Sequence, residues 1–199
     1  MASIRCMPSR CGQGSIRPSN ARRRHRSHHF GGPWLQFTVH KNVMGLIPYF
    51  KSALTFRLSE NRNNGIDVAT LELPIDVDKV VFQEFLLFAY LRDEDRLSRL
   101  PLGLLLPLLQ IADYYEFEHL LRSVVKALEK QYCCLTGELA IQLLSTIEPL
   151  RFENKKDLEE IALKYIVFNF PEVSKLRLFR ELLQSEMCER VVDHIASEL

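Results

Sequence analysis

The stretch Phe37-Thr38-Val39-His40-Lys41 decides how the fold is interpreted, because a short strand ends in it and helical sequence follows. Across residues 34–39, apolar and polar side chains alternate, which is typical of a strand with one buried face. A second strand with the same alternation is predicted at residues 69–73, and Pro74 ends it. The sequence therefore predicts a small β component in the first half of the chain.

From Val77 onward, apolar residues recur at helical spacing. Helices are predicted around Phe82, at 102–114 and at 118–131. A second helical set begins near Thr136, whose hydroxyl can cap the first helix of that set. Two later helices are predicted, one starting near Asn154 and one carrying Met187, Val191, Ile195 and Leu199. We therefore predict an α+β fold that is mostly helical.

The N-terminal segment differs in composition from the rest of the chain. The net charge of +1 hides an asymmetry, because no acidic residue precedes Glu60. Arginines crowd the start of the chain, at Arg5, Arg10, Arg17, Arg22, Arg23, Arg24 and Arg26. We predict that residues 1–33 form a disordered basic tail and that folded structure starts at Trp34. An organelle transit peptide, an arm that touches nucleic acid and a plain unstructured extension all remain open for this tail.

Composition also bears on the class and compartment of the protein. With 47% hydrophobic residues in 199, the chain can bury a sizeable core. The most apolar stretch, residues 102–111, is far shorter than the roughly 20 residues of a membrane-spanning helix. The five cysteines have neither metal-ligand spacing nor the pattern of a disulfide framework. A location in the cytosol or nucleus is expected.

Motifs typical of enzymes are missing from the sequence. His25, His28 and His29, with Cys6 and Cys11, could collect a transition metal only if the tail folded. The adjacent Cys133 and Cys134 are interpreted as a buried and a half-buried thiol that do not ligate one ion together. The run Asp93-Glu94-Asp95 is interpreted as a solvated loop rather than paired catalytic carboxylates. We expect no catalytic residue, no cofactor and no metal site.

The segment around Phe37–Lys41 resembles the core of BTB/POZ domains, and the similarity covers about residues 34–131. The positions that carry it are Phe37, Val39, His40, Lys41, Met44, Tyr49, Phe50, Leu54, Phe82, Leu86, Phe88, Tyr90, Leu108, Leu109, Ala112, Tyr114 and Leu120. Residues 132–199 are similar to a partial BACK domain, the helical segment that follows BTB in many ubiquitin-ligase adaptors. Its matching positions are Ala162, Tyr165, Ile166, Asn169, Phe170, Val173, Phe179 and Leu182. The resemblance implies a small sheet flanked by a helical cluster, followed by helical hairpins.

One short motif extends the resemblance to a partner. Cullin-binding BTB proteins carry an apolar-x-acidic signature ten residues after the Tyr-Phe pair, and Leu58-Ser59-Glu60 stands at that offset from Phe50. The resemblance implies that Leu58 anchors in a groove of a cullin-3 type scaffold and that Glu60 supports polar contacts beside it. A solvated glutamate at a helix end is the alternative interpretation of Glu60.

Two departures from the family pattern affect what is expected. The first BTB strand, which precedes the strand ending in His-Lys, is expected to be missing, and this weakens the expected homo- or heterodimer. Neither Kelch repeats nor a MATH domain is present, so the delivered substrate is undetermined. Three explanations stay open: a fragmentary gene model, a separate partner that brings the substrate, and a competitor of longer adaptors.

We predict a non-enzymatic adaptor for a cullin-3 type ubiquitin ligase. The alternative is a self-associating BTB scaffold or transcriptional co-regulator, and nucleic-acid binding is not expected.

Overall fold

The computed structural model describes residues 2–6, 35–62, 69–72, 77–152, 155–184 and 188–198. Its strands are β1 (Ala2–Cys6), β2 (Leu35–Val39) and β3 (Ala69–Glu72). The helices of the first part are α1 (Lys41–Met44), α2 (Pro48–Arg62), α3 (Lys79–Leu91), α4 (Glu94–Leu97), α5 (Leu102–Tyr114) and α6 (Glu118–Lys130). After a 3₁₀ turn at Tyr132–Cys134 come α7 (Gly137–Ile147), α8 (Lys155–Phe168), α9 (Phe170–Val173), α10 (Arg177–Leu182) and α11 (Cys188–Glu198). The mostly helical class is confirmed.

The three strands form one sheet in the order β2-β1-β3. The central strand β1 pairs antiparallel with β2 and parallel with β3, and Ile4 lies opposite both Phe37 and Leu71. The side chain of Ile4 is fully buried. Residues 2–6 therefore form a paired strand with Ile4 in the core, and the prediction that folded structure starts at Trp34 was wrong for this segment.

The physical reason for this error is the shortness of β1. A five-residue strand beside an arginine-rich segment gives little apolar periodicity, and its stability comes from partners far along the chain. The expectation that a strand ahead of β2 is missing was wrong for the same reason. The remainder of the predicted tail, residues 7–33, lies outside the described residues.

A corner joins β2 to the helices. The hydroxyl of Tyr90, on the last turn of α3, accepts the backbone N–H of His40 at 2.8 Å and lies 3.0 Å from Nδ1 of the same histidine. Met44 and Ile47, which follow the corner, are fully buried. Pro48 then starts α2, as expected for a first-turn proline. The segment between β2 and α2 is therefore held by a hydrogen bond to α3 and by two side chains buried in the core.

Aromatic rings fill the core of the first part. Phe50 of α2 packs 4.9 Å from Tyr115, and Phe85 of α3 packs 5.5 Å from the same ring, measured between ring centroids. Phe82 stacks on Phe85 at 5.5 Å, and Phe117 approaches Phe85 edge-on at 5.6 Å. Such pairs add about 0.5–1.5 kcal/mol each to the free energy gained by burial. This ring cluster ties α2, α3 and the end of α5 together.

Helix starts follow the capping residues of the sequence. Asp78 accepts the backbone N–H of Val80 at 2.7 Å and caps α3. Thr136 accepts the N–H of Leu139 at 3.3 Å, so the predicted cap of α7 is confirmed. Asp93 caps the single-turn helix α4 by accepting the N–H of Arg96 at 3.0 Å. The interpretation of residues 93–95 as a loop was therefore wrong, because a capping aspartate starts a helical turn there.

The later helices continue the same core. Helix α7 packs against both α8 and α5. Leucines of α5 and α6 meet apolar residues of α7 and α8 in an almost closed interior lined by Leu102, Leu106, Leu128, Leu139, Leu143, Leu158 and Ile161. The helices at 102–114 and 118–131 were predicted to within one residue. The apolar faces of these helices therefore pack against one another in one continuous core.

Candidate protein-binding surface

The sequence-predicted motif Leu58-Ser59-Glu60 lies within the last turns of α2, which ends at Arg62. The structure therefore places the three residues on regular helical backbone, close to a helix end. Their side chains lie outside the described part of the chain, so the choice between a partner anchor and a solvated glutamate stays open at this point.

Contacts near its start hold α2 in place. The ring of Tyr49 lies 5.0 Å from Tyr115 and 6.0 Å from Tyr114, and Phe50 and Leu54 are buried one turn apart. Burial, and then the neighbouring Tyr114, raise the pKa of the Tyr49 hydroxyl above its ordinary value. A helix rises about 1.5 Å per residue, so the motif stands roughly 12 Å beyond this anchored first turn.

A groove of about 800 Å³ lies beside the end of α5. Its apolar lining consists of Ala112, Leu121, Val125 and Phe152, and its charged lining consists of Asp113, Glu116, Glu118, Arg122, Lys126 and Arg151. Glu118 and Arg122 form an ion pair one turn apart on α6. We name this feature the α6 groove. A groove lined by both apolar and charged side chains is suited to an amphipathic segment of a partner.

The carboxyl group of Asp113 lines the α6 groove. Burial raises the pKa of its carboxyl above the ordinary value, and a hydrogen bond from the backbone of Arg151 opposes this in part. The same contact joins the end of α5 to the segment after α7. The carboxylate therefore helps to position the wall of the groove that Arg151 and Phe152 form.

The sequence did not predict the α6 groove. Its floor uses the ordinary apolar stripe of α6, which the sequence assigns to the core. Arg151 and Phe152 follow Pro149 in a segment without periodicity. The ion-pair spacing of Glu118 and Arg122 was the one available signal, and such i,i+4 pairs are common on any exposed helix.

The remaining candidate residues of the sequence are the acidic run at 93–95, the cysteines and the N-terminal histidines. Glu94 accepts a hydrogen bond from the hydroxyl of Ser123 at 3.0 Å and lies 4.0 Å from the ammonium of Lys126. Cys133 and Cys134 are both exposed, with their sulfurs 3.8 Å apart, so the interpretation as a buried and a half-buried thiol was wrong. The connection between α6 and α7 is a 3₁₀ turn at the surface, where neither side chain is covered. His25, His28, His29 and Cys11, and the side chain of Cys6, lie outside the described residues.

Two absences in the described segments concern metal binding and membrane insertion. In the part of the chain that the structure describes, no group of three or more histidine, cysteine, aspartate or glutamate side chains is placed to hold a metal ion. Among the same residues, no helix combines the length and the apolar character needed to cross a bilayer.

Comparison with known proteins gives no assignment: no family model matches the chain, and no curated protein is similar to it.

Proposed function

We propose that this protein is a non-enzymatic interaction adaptor of the BTB-BACK type that docks a cullin-3 type scaffold through the end of α2. The observation that carries the proposal is the position of Leu58-Ser59-Glu60 on α2, with Glu60 ten residues after Phe50 of a Tyr-Phe pair that is packed into the aromatic core. In the resembling family, this offset belongs to the cullin-binding signature. An aliphatic anchor with a polar flank can supply several kcal/mol of binding free energy.

Three further features support the proposal. A strand precedes the one that ends in His-Lys, as in most BTB domains. The family positions Val39, Phe50 and Leu108 are buried in the core. Tyr90, another family position, holds the corner through His40. Each of these features is also needed for packing, so they support the fold more directly than the partner.

A pull-down with a cullin N-terminal domain tests the motif. The double variant Leu58→Asp/Glu60→Lys is expected to reduce capture at least about tenfold, because it removes an apolar anchor and reverses a charge at one contact. Val192→Asp/Glu189→Lys also replaces one aliphatic residue by Asp and one Glu by Lys, at exposed positions of α11, and is expected to leave capture unchanged. Equal capture by the wild type and the Leu58/Glu60 variant would remove the motif from the proposal.

A scaffold that only self-associates is the second candidate function. Val80, Leu87 and Leu91 are exposed on one side of α3, at spacings of seven and four residues, and Leu91 is 61% exposed. A second copy of the chain could cover such an apolar stripe. Light scattering that finds a dimer, combined with no affinity for the cullin domain, would favour this candidate.

The location and the delivered partner belong to the same proposal. An adaptor of this type works in the cytosol or nucleus. Exposed thiols at Cys133 and Cys134 fit a reducing compartment. The substrate protein stays unassigned, because no described surface carries a recognition pattern for a particular sequence.

A further inference from the structure

The corner after β2 brings a histidine and a tyrosine together through one hydroxyl group. The hydroxyl oxygen of Tyr90 lies 2.8 Å from the backbone nitrogen of His40 and 3.0 Å from its Nδ1. The two rings meet edge-on, with their centroids 5.8 Å apart. The carbonyl of His40 accepts the N–H groups of Val43 and Met44, both at 3.1 Å. The histidine is therefore held through its backbone as well as through its ring.

The neutral pair has one arrangement in which every group is matched. A backbone N–H can only donate, so the Tyr90 oxygen accepts the N–H of His40. The phenol carries one proton, and Nδ1 is an acceptor when the neutral ring carries its own proton on Nε2. In this state Tyr90 therefore donates to Nδ1, and the Nε2–H of His40 is directed away from Tyr90.

Protonation of the ring reverses the bond between the two side chains. An imidazolium carries a proton on each nitrogen, so Nδ1 becomes a donor. The Tyr90 oxygen has two lone pairs and can accept Nδ1–H together with the backbone N–H. The added proton comes from solvent, and the phenol keeps its own proton, which must leave the line between the two atoms. Because Tyr90 is 40% exposed, its O–H can turn to water.

From this geometry we propose that His40 and Tyr90 form a pH-sensitive hydrogen-bond switch at the corner after β2. The bond runs from Tyr90 to Nδ1 while the ring is neutral, and from Nδ1 to Tyr90 once the ring is protonated. The backbone bond persists in both states, so the corner keeps its shape. The switch does not involve the motif at residues 58–60 and does not rest on cullin binding.

The surface of the corner changes when the switch reverses. Proton uptake adds a positive charge at His40 and an outward O–H at Tyr90. The next residue of α3, Leu91, is 61% exposed, so a partner that covers this end of α3 meets both changes. A carboxylate on such a partner matches the protonated state, because it can accept the O–H and offset the charge.

The charged groups on the elements around the pair lie elsewhere. Those in the described part of the chain are Arg5 of β1, Lys41 of α1, Glu84 of α3, Lys79 at the far end of α3 and Arg92 at its cap. Arg5 lies opposite Gln36, four residues before His40. Glu84 is ion-paired with Arg96 at 2.7 Å, and the guanidinium of Arg92 lies 4.8 Å from the ring centroid of Phe117. Among the described residues, Tyr90 is therefore the titratable group that meets the ring.

Nuclear magnetic resonance of the full-length chain with ¹⁵N-labelled histidine tests the switch between about pH 8 and about pH 5, the range in which histidine side chains change charge. His40→Gln assigns the resonances of His40. At the upper pH, the ring proton is expected on Nε2, and the hydroxyl proton of Tyr90 is expected to exchange slowly with water. Acidification should remove the hydroxyl signal, while the amide proton of His40 stays protected from exchange.

Tyr90→Phe is the matched variant, and His194 is the internal reference. Without the phenol, the Nδ1 resonance of neutral His40 is expected to shift, because the nitrogen loses its donor. His194 lies on α11, which packs against α8, so its resonances should be the same in both proteins.

Three results would overturn the switch. The first is a neutral His40 ring with its proton on Nδ1, because no reversal is then needed. The second is an Nδ1 resonance that is identical in the wild type and in Tyr90→Phe. The third is a hydroxyl signal of Tyr90 that persists after His40 has become protonated, which would show that the direction of the bond had not changed.

Discussion

The part of the chain before Tyr132 and the part after it are built in different ways. In the first part, segments far apart in sequence meet: β1 pairs with β3, and Tyr90 holds His40. In the second part, α7 packs against α8, its neighbour in sequence. Aromatic rings fill the first core, whereas the described residues of the second part contain one ring pair, Phe170 with Phe179 at 5.8 Å.

This difference has an energetic consequence. Contacts between distant segments must overcome the entropy of closing long loops, while neighbouring helices associate at lower cost. A dense ring cluster supplies both burial and ring–ring contacts, which compensates for the larger cost in the first part. We therefore expect the first part to be more sensitive to the loss of a single element or ring.

The largest effect is expected from removing β1. Deletion of residues 1–33 takes away the central strand and the buried Ile4, so β2 and β3 lose their shared partner. Net stabilities of domains are only about 5–15 kcal/mol, so the loss should abolish the cooperative thermal transition. Differential scanning calorimetry measures this.

The matched control keeps the strand and removes the residues between the strands. Cys6 pairs with Leu35, so replacing residues 7–34 by Asn-Gly joins β1 and β2 as a two-residue hairpin. This variant is expected to melt cooperatively. A deletion of 1–33 that melts like the wild type would show that β1 is dispensable. It would contradict the expectation that the first part is more sensitive to the loss of a single element.

The next effect compares the same substitution in each part. Phe85 contacts the rings of Phe50, Phe82, Tyr115 and Phe117, whereas Phe179 contacts one ring. Phe85→Ala should lower the free energy of unfolding by about 3–5 kcal/mol, and Phe179→Ala by roughly 2 kcal/mol less, because it loses three fewer ring contacts. Chemical denaturation measures both values.

Phe168→Ala is the reference for this pair. Its side chain is 91% exposed, so the free energy of unfolding should change by under about 0.5 kcal/mol. Equal losses for Phe85→Ala and Phe179→Ala would mean that the aromatic cluster adds nothing beyond ordinary burial.

A smaller effect is expected at the corner. Tyr90→Phe keeps the ring but removes the hydroxyl that accepts the N–H of His40. The expected cost is about 1 kcal/mol, the usual net value of one hydrogen bond. Tyr132→Phe, at an exposed position on the α6–α7 turn, serves as the control and should leave the denaturation midpoint unchanged. A Tyr90→Phe midpoint equal to that of the control would show that the corner is held by packing alone.

Particular elements show how far the sequence was sufficient. The run Leu102–Tyr114 has apolar residues at helical spacing, and the helix has the predicted bounds. Thr136 caps α7 as the sequence indicates. The motif Leu58-Ser59-Glu60 was singled out by the position of Glu60 ten residues after Phe50, and its use by a partner remains a prediction.

The elements that the sequence missed share a dependence on distant residues. Neither the pairing of β1 with β2 and β3 nor the contact between Asp113 and Arg151 leaves a local pattern. The exposure of Cys133 and Cys134 depends on how α6 and α7 pack around their connecting turn. Propensity and periodicity describe single segments and carry no information on such arrangements.

The sequence by itself determined the longer helices α5 and α6 and the cap that begins α7, because helical spacing and capping are set by residues within one or two turns. Only the tertiary structure decided the central strand, the α6 groove and the surface position of the adjacent thiols. These features arise where segments distant in the chain come into contact, and the free energy of that contact depends on the shape of both partners.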